Sequence, residues 1–150
     1  NNSITQLTED SIAGVATASV AAGNWTLTTT GLGVENQARK AILIPTGSPG
    51  VSRNIIAPSQ SKAYIVINQS DAAVVVKGSA TTGVTIPSGV TALVAWNGSD
   101  FINVRPYSTE GTAGQVLTSG GAGAAPTWAT PSSGGITAGQ SIAFDLVFSI

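Results

Sequence analysis

The amino-acid sequence predicts an all-β protein: a small β-sandwich or barrel-like domain, followed by an extended Gly/Ala-rich C-terminal arm that ends in a β-strand. Three observations support this prediction. Short apolar runs rich in branched side chains recur through the middle of the chain. Clusters of Gly, Pro, Asn and Asp separate these runs about every eight to twelve residues, which is typical of sandwiches and barrels. The residues 141–150 alternate between large apolar side chains and others.

The predicted strands follow one another with turn clusters between them. Asn24–Thr30 alternates, so that Trp25 and Leu27 share one face. Between the later runs, Gly, Pro, Asn and Asp supply backbone dihedrals that strands do not use. The later runs are Ala41–Ile44, Lys62–Ile67, Ala72–Lys77, Val84–Ile86 and Val90–Trp96, and the turn clusters are Thr46–Gly50, Asn68–Asp71, Pro87–Gly89 and Asn97–Asp100.

Two further segments border these runs. Trp96–Phe101 is predicted to be a β-hairpin, because Asn97-Gly98 accepts positive φ at little cost. Ser11–Ala22 has mixed signals, since its alanines favour a helix while Gly14 and the branched residues favour an extended chain. We expect an extended segment there, with a helix as the alternative.

The C-terminal segment has the sharpest pattern of the chain. Every second residue is large and apolar, which indicates a strand with one strongly buried face. Leaving each of these side chains in water would forgo roughly 1.5–3 kcal/mol, so we expect a surface to receive them, and we favour the surface of a neighbouring chain. The apolar residues are Ile142, Phe144, Leu146, Phe148 and Ile150.

The region 106–140 precedes this strand. From Gly111 to Phe144 the chain has no charged residue. A flexible linker is one interpretation. A solvated linker, however, gains nothing from the apolar side chains of Gln115–Thr118 and Pro126–Thr130. We therefore predict two short pinned strands separated by a glycine-rich turn, with Trp128 as their aromatic anchor.

The composition excludes several classes of function. Charged residues make up 9% of the chain and the net charge is −1, so the basic stripe that a nucleic-acid binder needs is missing. No apolar run is long enough for a membrane span. The chain has no Cys and no His, which excludes cysteine metal sites and His-dependent nucleophiles. We expect no cofactor. The lack of Met, including an initiator, favours a processed or internal segment.

Carboxylates and aromatic residues are the remaining candidates for chemistry. A glycosidase needs two carboxylates facing each other. The carboxylates of this chain instead look like solvating or capping groups, so we expect no enzyme. Aromatic side chains could stack on sugars, although Trp25 and Trp96 are more typical of a core. The carboxylates are Glu9, Asp10, Glu35, Asp71, Asp100, Glu110 and Asp145, and the aromatic residues considered are Trp25, Tyr64, Trp96, Tyr107 and Trp128.

One stretch resembles a known family. Gly111–Trp128, GTAGQVLTSGGAGAAPTW, is similar to an element found in tail-fibre and minor structural proteins of tailed bacteriophages. A looser similarity to a β-domain of phage fibre proteins covers roughly Thr26–Val104. It is carried by Ile44–Thr46, Val66–Ser70, Gly83–Gly89 and Trp96–Asp100.

The resemblance implies a non-enzymatic virion component that works as an intertwined homotrimer. At a threefold axis Gly and Ala would allow close approach, and one aromatic residue per chain would set the register. Expected partners are other copies of the chain, other virion proteins and a host polysaccharide or receptor, without nucleic acid or membrane insertion. The alternatives are a capsid decoration (cement) protein and a carbohydrate-binding or depolymerase module.

The predicted organisation has four parts. Residues 1–23 form an N-terminal extension, 24–105 the β-domain, 106–140 the arm and 141–150 the C-terminal strand. The candidate oligomer contacts are Trp128, Ile142, Phe144, Leu146, Phe148 and Ile150.

Overall fold

The computed structural model describes residues 2–30, 36–105 and 110–131. The chain divides into two compact units, Asn1–Val104 (the two-sheet unit) and Arg105–Ile150 (the hairpin unit). Across the described residues, the regular elements are β-strands apart from one helix and one 3-10 turn, which confirms the predicted all-β class. The elements are α1 (Asn2–Ala13), β1 (Val15–Ser19), β2 (Trp25–Thr26), a 3-10 turn (Gln37–Arg39), β3 (Ile42–Thr46), β4 (Arg53–Ile56), β5 (Ala63–Ile67), β6 (Val74–Lys77), β7 (Val84–Ile86), β8 (Thr91–Trp96), β9 (Phe101–Asn103), β10 (Val116–Thr118) and β11 (Thr127–Ala129).

The two-sheet unit contains a five-stranded sheet in the order β1-β3-β5-β8-β9 and a four-stranded sheet in the order β2-β4-β6-β7. The first six strands alternate between the sheets, so that β1, β3 and β5 lie parallel in one and β2, β4 and β6 lie parallel in the other. The chain thus makes three stacked coils of two strands each. Antiparallel pairing of β7 with β6, of β8 with β5 and of β9 with β8 follows the coils.

The core lies between the inner faces of the two sheets. On β5, Tyr64 and Val66 are buried while Ala63 and Ile65 are exposed, as the twofold repeat of a strand requires. Burial of each large apolar side chain contributes about 1.5–3 kcal/mol. The buried cluster takes residues from β1 through β9: Ala16, Val20, Trp25, Leu27, Leu43, Ile55, Ala57, Tyr64, Val66, Val74, Val76, Ile86, Val94 and Phe101.

The N-terminal residues differ from the sequence expectation in part. The extended chain expected within Ser11–Ala22 is present as β1, whereas Ser11–Ala13 end α1. Gly14 joins the two, and its carbonyl accepts hydrogen bonds from the N–H groups of Ala41 (2.9 Å) and Ile42 (3.0 Å). The segment set apart as an extension, 1–23, therefore contributes a strand to the five-stranded sheet.

The predicted hairpin at Trp96–Phe101 is confirmed, since Trp96 and Phe101 are paired across β8 and β9. Asn97 acts differently from the expectation, because no described residue other than glycine has positive φ. Its side-chain oxygen instead accepts hydrogen bonds from the N–H groups of Ser99 (2.9 Å) and Asp100 (3.0 Å). Gly98 alone provides the positive φ, at 105°.

A buried asparagine ties together the turns at one end of the two-sheet unit. The Asn68 side chain is 1% exposed, and its amide nitrogen donates to the carbonyls of Ala72 (2.9 Å), Ile86 (3.0 Å) and Pro87 (3.1 Å). Its oxygen accepts from the N–H (3.0 Å) and the hydroxyl (2.7 Å) of Ser70. One side chain thus satisfies buried groups on two separate turns.

The predicted C-terminal strand at 141–150 lies outside the described residues, as does 132–140.

Candidate functional site

The glycine-rich stretch Gly111–Trp128 forms an antiparallel hairpin from β10 and β11. Val116 pairs with Ala129, Leu117 with Trp128 and Thr118 with Thr127. This confirms the prediction of two short strands joined by a glycine-rich turn, and it excludes the linker interpretation for this part of the arm. We call residues 110–131 the hairpin.

A tight turn precedes the first strand of the hairpin. The N–H of Gln115 donates to the carbonyl of Thr112 at 3.0 Å, and the side-chain oxygen of Gln115 accepts from the N–H of Thr112 at 2.8 Å. The backbone and the side chain of Gln115 thus both bond to Thr112 and stabilise the turn.

The loop between the strands holds itself together by short-range contacts. The N–H of Gly121 donates to the hydroxyl of Ser119 (3.3 Å), and the N–H of Ala124 donates to the carbonyl of Gly121 (3.3 Å). Gly121 and Gly123 have φ of 89° and 79°, values that other residues rarely adopt. The turn itself thus accounts for these glycines without a threefold axis.

Trp128 is anchored within its own chain. A Cβ on Gly111 would lie 2.5 Å from Cδ2 and 2.6 Å from Cε3 of the Trp128 ring, so the indole occupies the space that a side chain would need. The sequence analysis missed this pairing, although the glycine at the first position of the motif was the signal for it. The role of Trp128 as a contact between chains stays a prediction.

The hairpin leaves apolar side chains in contact with water. Val116 and Leu117 are both exposed, and Trp128 is half-buried. An isolated two-stranded hairpin is marginally stable at best in water. Successive strand residues point to opposite faces, so Leu117 lies on the same face as its pair Trp128, and Val116 lies on the other face. A surface that covered the face of Leu117 and Trp128 would bury Leu117 and stabilise the hairpin, which makes this face a candidate contact site.

The carboxylates of the turn clusters bind backbone groups. Asp100 accepts from the N–H groups of Thr82 (3.1 Å), Gly83 (2.9 Å) and Phe101 (2.7 Å). The bond from Gly83, followed by that from the Thr81 hydroxyl, lowers the pKa of Asp100 below its usual value. This carboxylate stays ionised and joins the loop before β7 to the β8–β9 hairpin.

Asp71 and Glu110 have partners of their own. The Asp71 carboxylate accepts from the N–H of Gly50 at 3.2 Å. Glu110 forms an ion pair with Arg105 and has an exposed side chain. Both carboxylates therefore have partners that fit a structural role in turns and surface ion pairs.

The ammonium group of Lys62 is partly buried against the 3-10 turn. Its Nζ donates to the carbonyls of Ala38 (2.8 Å) and Arg39, and it lies 5.0 Å from the centre of the Tyr64 ring. Burial, and then the nearby Arg39 charge, lowers the pKa of Lys62 to about 8. Burial raises the pKa of Tyr64 to about 12, and its hydroxyl donates to the same Ala38 carbonyl at 2.9 Å. Both side chains hold the carbonyls of the 3-10 turn.

The aromatic residues of the two-sheet unit belong to its core. Trp25 and Tyr64 are buried, and the indole N–H of Trp25 donates to Oε1 of Gln37 at 2.9 Å. Trp96 meets Phe101 edge to face at 5.3 Å. Trp25 and Tyr64 therefore have no exposed ring face for a sugar. Tyr107 lies outside the described residues.

The remaining candidate contacts, Ile142, Phe144, Leu146, Phe148 and Ile150, also lie outside the described residues. Across 2–30, 36–105 and 110–131, no group of three or more acidic side chains could hold a metal ion. Within those same ranges, no helix has the length and hydropathy that crossing a membrane requires.

Comparisons with protein-family models, with curated proteins and with solved structures give no match for this chain.

Proposed function

We propose that this chain is a structural component of a tailed-bacteriophage virion, a segment of a tail fibre or fibre-like appendage that serves assembly and host attachment. The observation that carries the proposal is the Gly111–Trp128 hairpin, whose sequence resembles the phage fibre element. Glycine, serine, glutamine and tryptophan of that element each have a structural role within the hairpin. The residues that carry the resemblance are therefore also the residues that shape the hairpin.

The exposed apolar side chains of the hairpin support a role in assembly. In the proposed virion, other copies of the chain or other virion proteins would cover them, and the working form would be a homotrimer. Three identical attachment sites on one appendage raise the apparent affinity for a host polysaccharide or receptor through their effective concentration.

The proposed role involves no catalysis and no cofactor. The described turn carboxylates Asp71 and Asp100 bind backbone N–H groups, an arrangement that supports turns. Incubation with host polysaccharide should release no new reducing ends.

The experiment that tests the function is localisation. An antibody raised against the purified chain, marked with gold and applied to phage particles from the same source, should label the tail. The same antibody absorbed beforehand with the purified chain should give no label. Labelling of the head shell would support the decoration alternative instead, and intact particles without any label would refute a virion role.

A further inference from the structure

One Asn-Gly pair occurs in the sequence, and it lies in the turn between β8 and β9. Asn97 and Gly98 are both exposed there. The backbone nitrogen that follows an asparagine can attack the side-chain amide of that asparagine, and a side chain on the following residue hinders the attack. Every other asparagine of the chain is followed by a residue that carries a side chain. Asn97 is therefore the asparagine whose neighbour hinders such an attack least.

The surroundings of Gly98 are open. A Cβ built on this glycine would meet no atom within 4 Å. Its φ of 105° is a conformation that residues with a side chain rarely adopt. The fold thus keeps a glycine at this position and gives solvent access to the turn.

Three donors surround the side-chain oxygen of Asn97. It accepts hydrogen bonds from the N–H of Ser99 (2.9 Å), the N–H of Asp100 (3.0 Å) and the hydroxyl of Ser99 (3.2 Å). When a nucleophile attacks Cγ of the amide, this oxygen takes up negative charge, and donors already in place stabilise that charge. The same bonds hold the amide back toward the residues that follow it, which is the side on which Gly98 lies.

We propose that Asn97 is a site of spontaneous deamidation in the folded chain, with the backbone nitrogen of Gly98 as the nucleophile and water as the second reactant. Hydroxide takes the proton of the Gly98 N–H, and the nitrogen attacks Cγ of Asn97. A C–N bond forms to close a five-membered imide, the bond from Cγ to Nδ2 breaks, and the leaving nitrogen takes a proton from water and departs as ammonia. One water molecule then opens the imide. Opening at one carbonyl gives aspartate, and opening at the other gives isoaspartate, in which the backbone runs through the former side chain.

Other asparagines lack this combination of features. Asn24 is also exposed, but the residue after it is Trp25, which is 6% exposed and paired in β2. Closing the imide there would require a buried indole to move. Asn68 is 1% exposed, so water reaches it poorly. Asn24 therefore serves as an internal control for exposure without the glycine.

The reaction would change the β8–β9 hairpin. The N–H of Asn97 donates to the carbonyl of Asp100 at 3.0 Å and closes the turn beside the pair of Trp96 and Phe101. Isoaspartate adds one carbon to the backbone inside this turn, and aspartate adds a negative charge beside Asp100. Phe101 is 2% exposed and packs against Trp96, so a displaced turn weakens a core contact. We expect the isoaspartate form to unfold at lower urea concentration than the unreacted chain.

Incubation of the full chain in mildly alkaline, heavy-oxygen water, followed by peptide mapping with mass spectrometry, tests this inference. A synthetic peptide with the sequence of Val94–Phe101, incubated alongside, gives the time scale of the reaction without the fold. We expect Asn97 to take up one heavy oxygen and to give two products of equal mass that chromatography separates. It should react at least about tenfold faster than Asn24. Gly98→Ala should slow the reaction by at least about tenfold.

Circular dichroism shows that each chain stays folded during the incubation. An Asn97 amide that survives in the folded chain while the peptide reacts would overturn the inference. Aspartate as the sole product would overturn the imide route, since direct hydrolysis of the amide gives no isoaspartate. Equal rates at Asn24 and Asn97, or an unchanged rate in folded Gly98→Ala, would also contradict it. The inference is independent of the virion role, which gold labelling tests separately.

Discussion

Replacing Asn68 by alanine should strongly destabilise the two-sheet unit. This side chain is 1% exposed and makes five hydrogen bonds, to Ser70 and to three backbone carbonyls. Alanine removes all five bonds at a position that is closed to bulk water. The perturbation therefore tests whether this buried network stabilises the turns or merely accompanies them.

The loss of stability depends on which hydrogen-bonding groups around Asn68 keep another partner in the alanine variant. The Ala72 carbonyl still accepts from the Ser70 hydroxyl at 2.9 Å, and the Pro87 carbonyl still accepts from the N–H of Val90 at 3.2 Å. The N–H of Ser70 and the carbonyl of Ile86 lose the amide partner. Each buried polar group that loses its partner costs about 1–3 kcal/mol, so we expect these two groups to cost about 2–6 kcal/mol together. That is a large part of the 5–15 kcal/mol typical of a domain.

Urea unfolding followed by tryptophan fluorescence provides the assay, with protein concentration fixed because association would shift the midpoint. Asn97→Ala is the matched control. Asn97 makes the same contact with the residue two positions later, but it lies in an exposed turn where water can replace its bonds. Its loss should cost about 1 kcal/mol or less. Equal destabilisation by the two variants would refute the reasoning, since burial would then have no effect.

Two further predictions concern the same unit. Gly83→Ala should destabilise it by at least about 2 kcal/mol, because the new Cβ would lie 2.3 Å from the Val76 carbonyl oxygen. Gly89→Ala should cost only about 1 kcal/mol, since Gly89 also has positive φ but no atom within 4 Å of the new Cβ. Equal urea midpoints for the two variants would contradict this difference. The free energy of unfolding should rise from pH 8 to about 10, since folded Lys62 loses its proton near pH 8 while the unfolded chain keeps it to about 10.5. Between about pH 10 and 12 it should fall, because the unfolded chain ionises Tyr64 first. Lys62→Met should abolish the rise and keep the fall, and an unchanged rise in that variant would exclude Lys62 as its cause.

Part of the fold could be predicted because patterns within short segments of the sequence indicate it. Trp25 and Leu27 alternate, and both are buried as expected. The β10–β11 hairpin was predictable because Val116, Leu117 and Trp128 stand out within an otherwise small and uncharged stretch. In these segments the local pattern and the tertiary packing favour the same structure.

Other features depended on contacts between distant residues. β4 (Arg53–Ile56) begins with two polar residues, so its sequence gives no strand pattern, and parallel pairing with β2 and β6 provides its hydrogen bonds. The parallel coils follow from pairings such as that of Val15 with Ile42, which no short-range signal reveals. The contact of Trp128 with Gly111 was missed for the same reason, since a close approach leaves no mark beyond the glycine itself.

The positions of the charged side chains suggest a physical reason for the low charge of the chain. Arg53 donates to the carbonyl of Ala21 and Lys62 to that of Ala38, while Asp71 and Asp100 accept from backbone N–H groups. These four charged groups therefore hold turns of the two-sheet unit in place. The outward strand residues of the five-stranded sheet and residues 111–131 carry no charge, and both sets include exposed apolar side chains. Surfaces of this kind lose little hydration free energy when they meet a similar surface, because no ion has to be desolvated. A chain with 9% charged residues, against about 25% in an average domain, is thus suited to contacts that bury its faces.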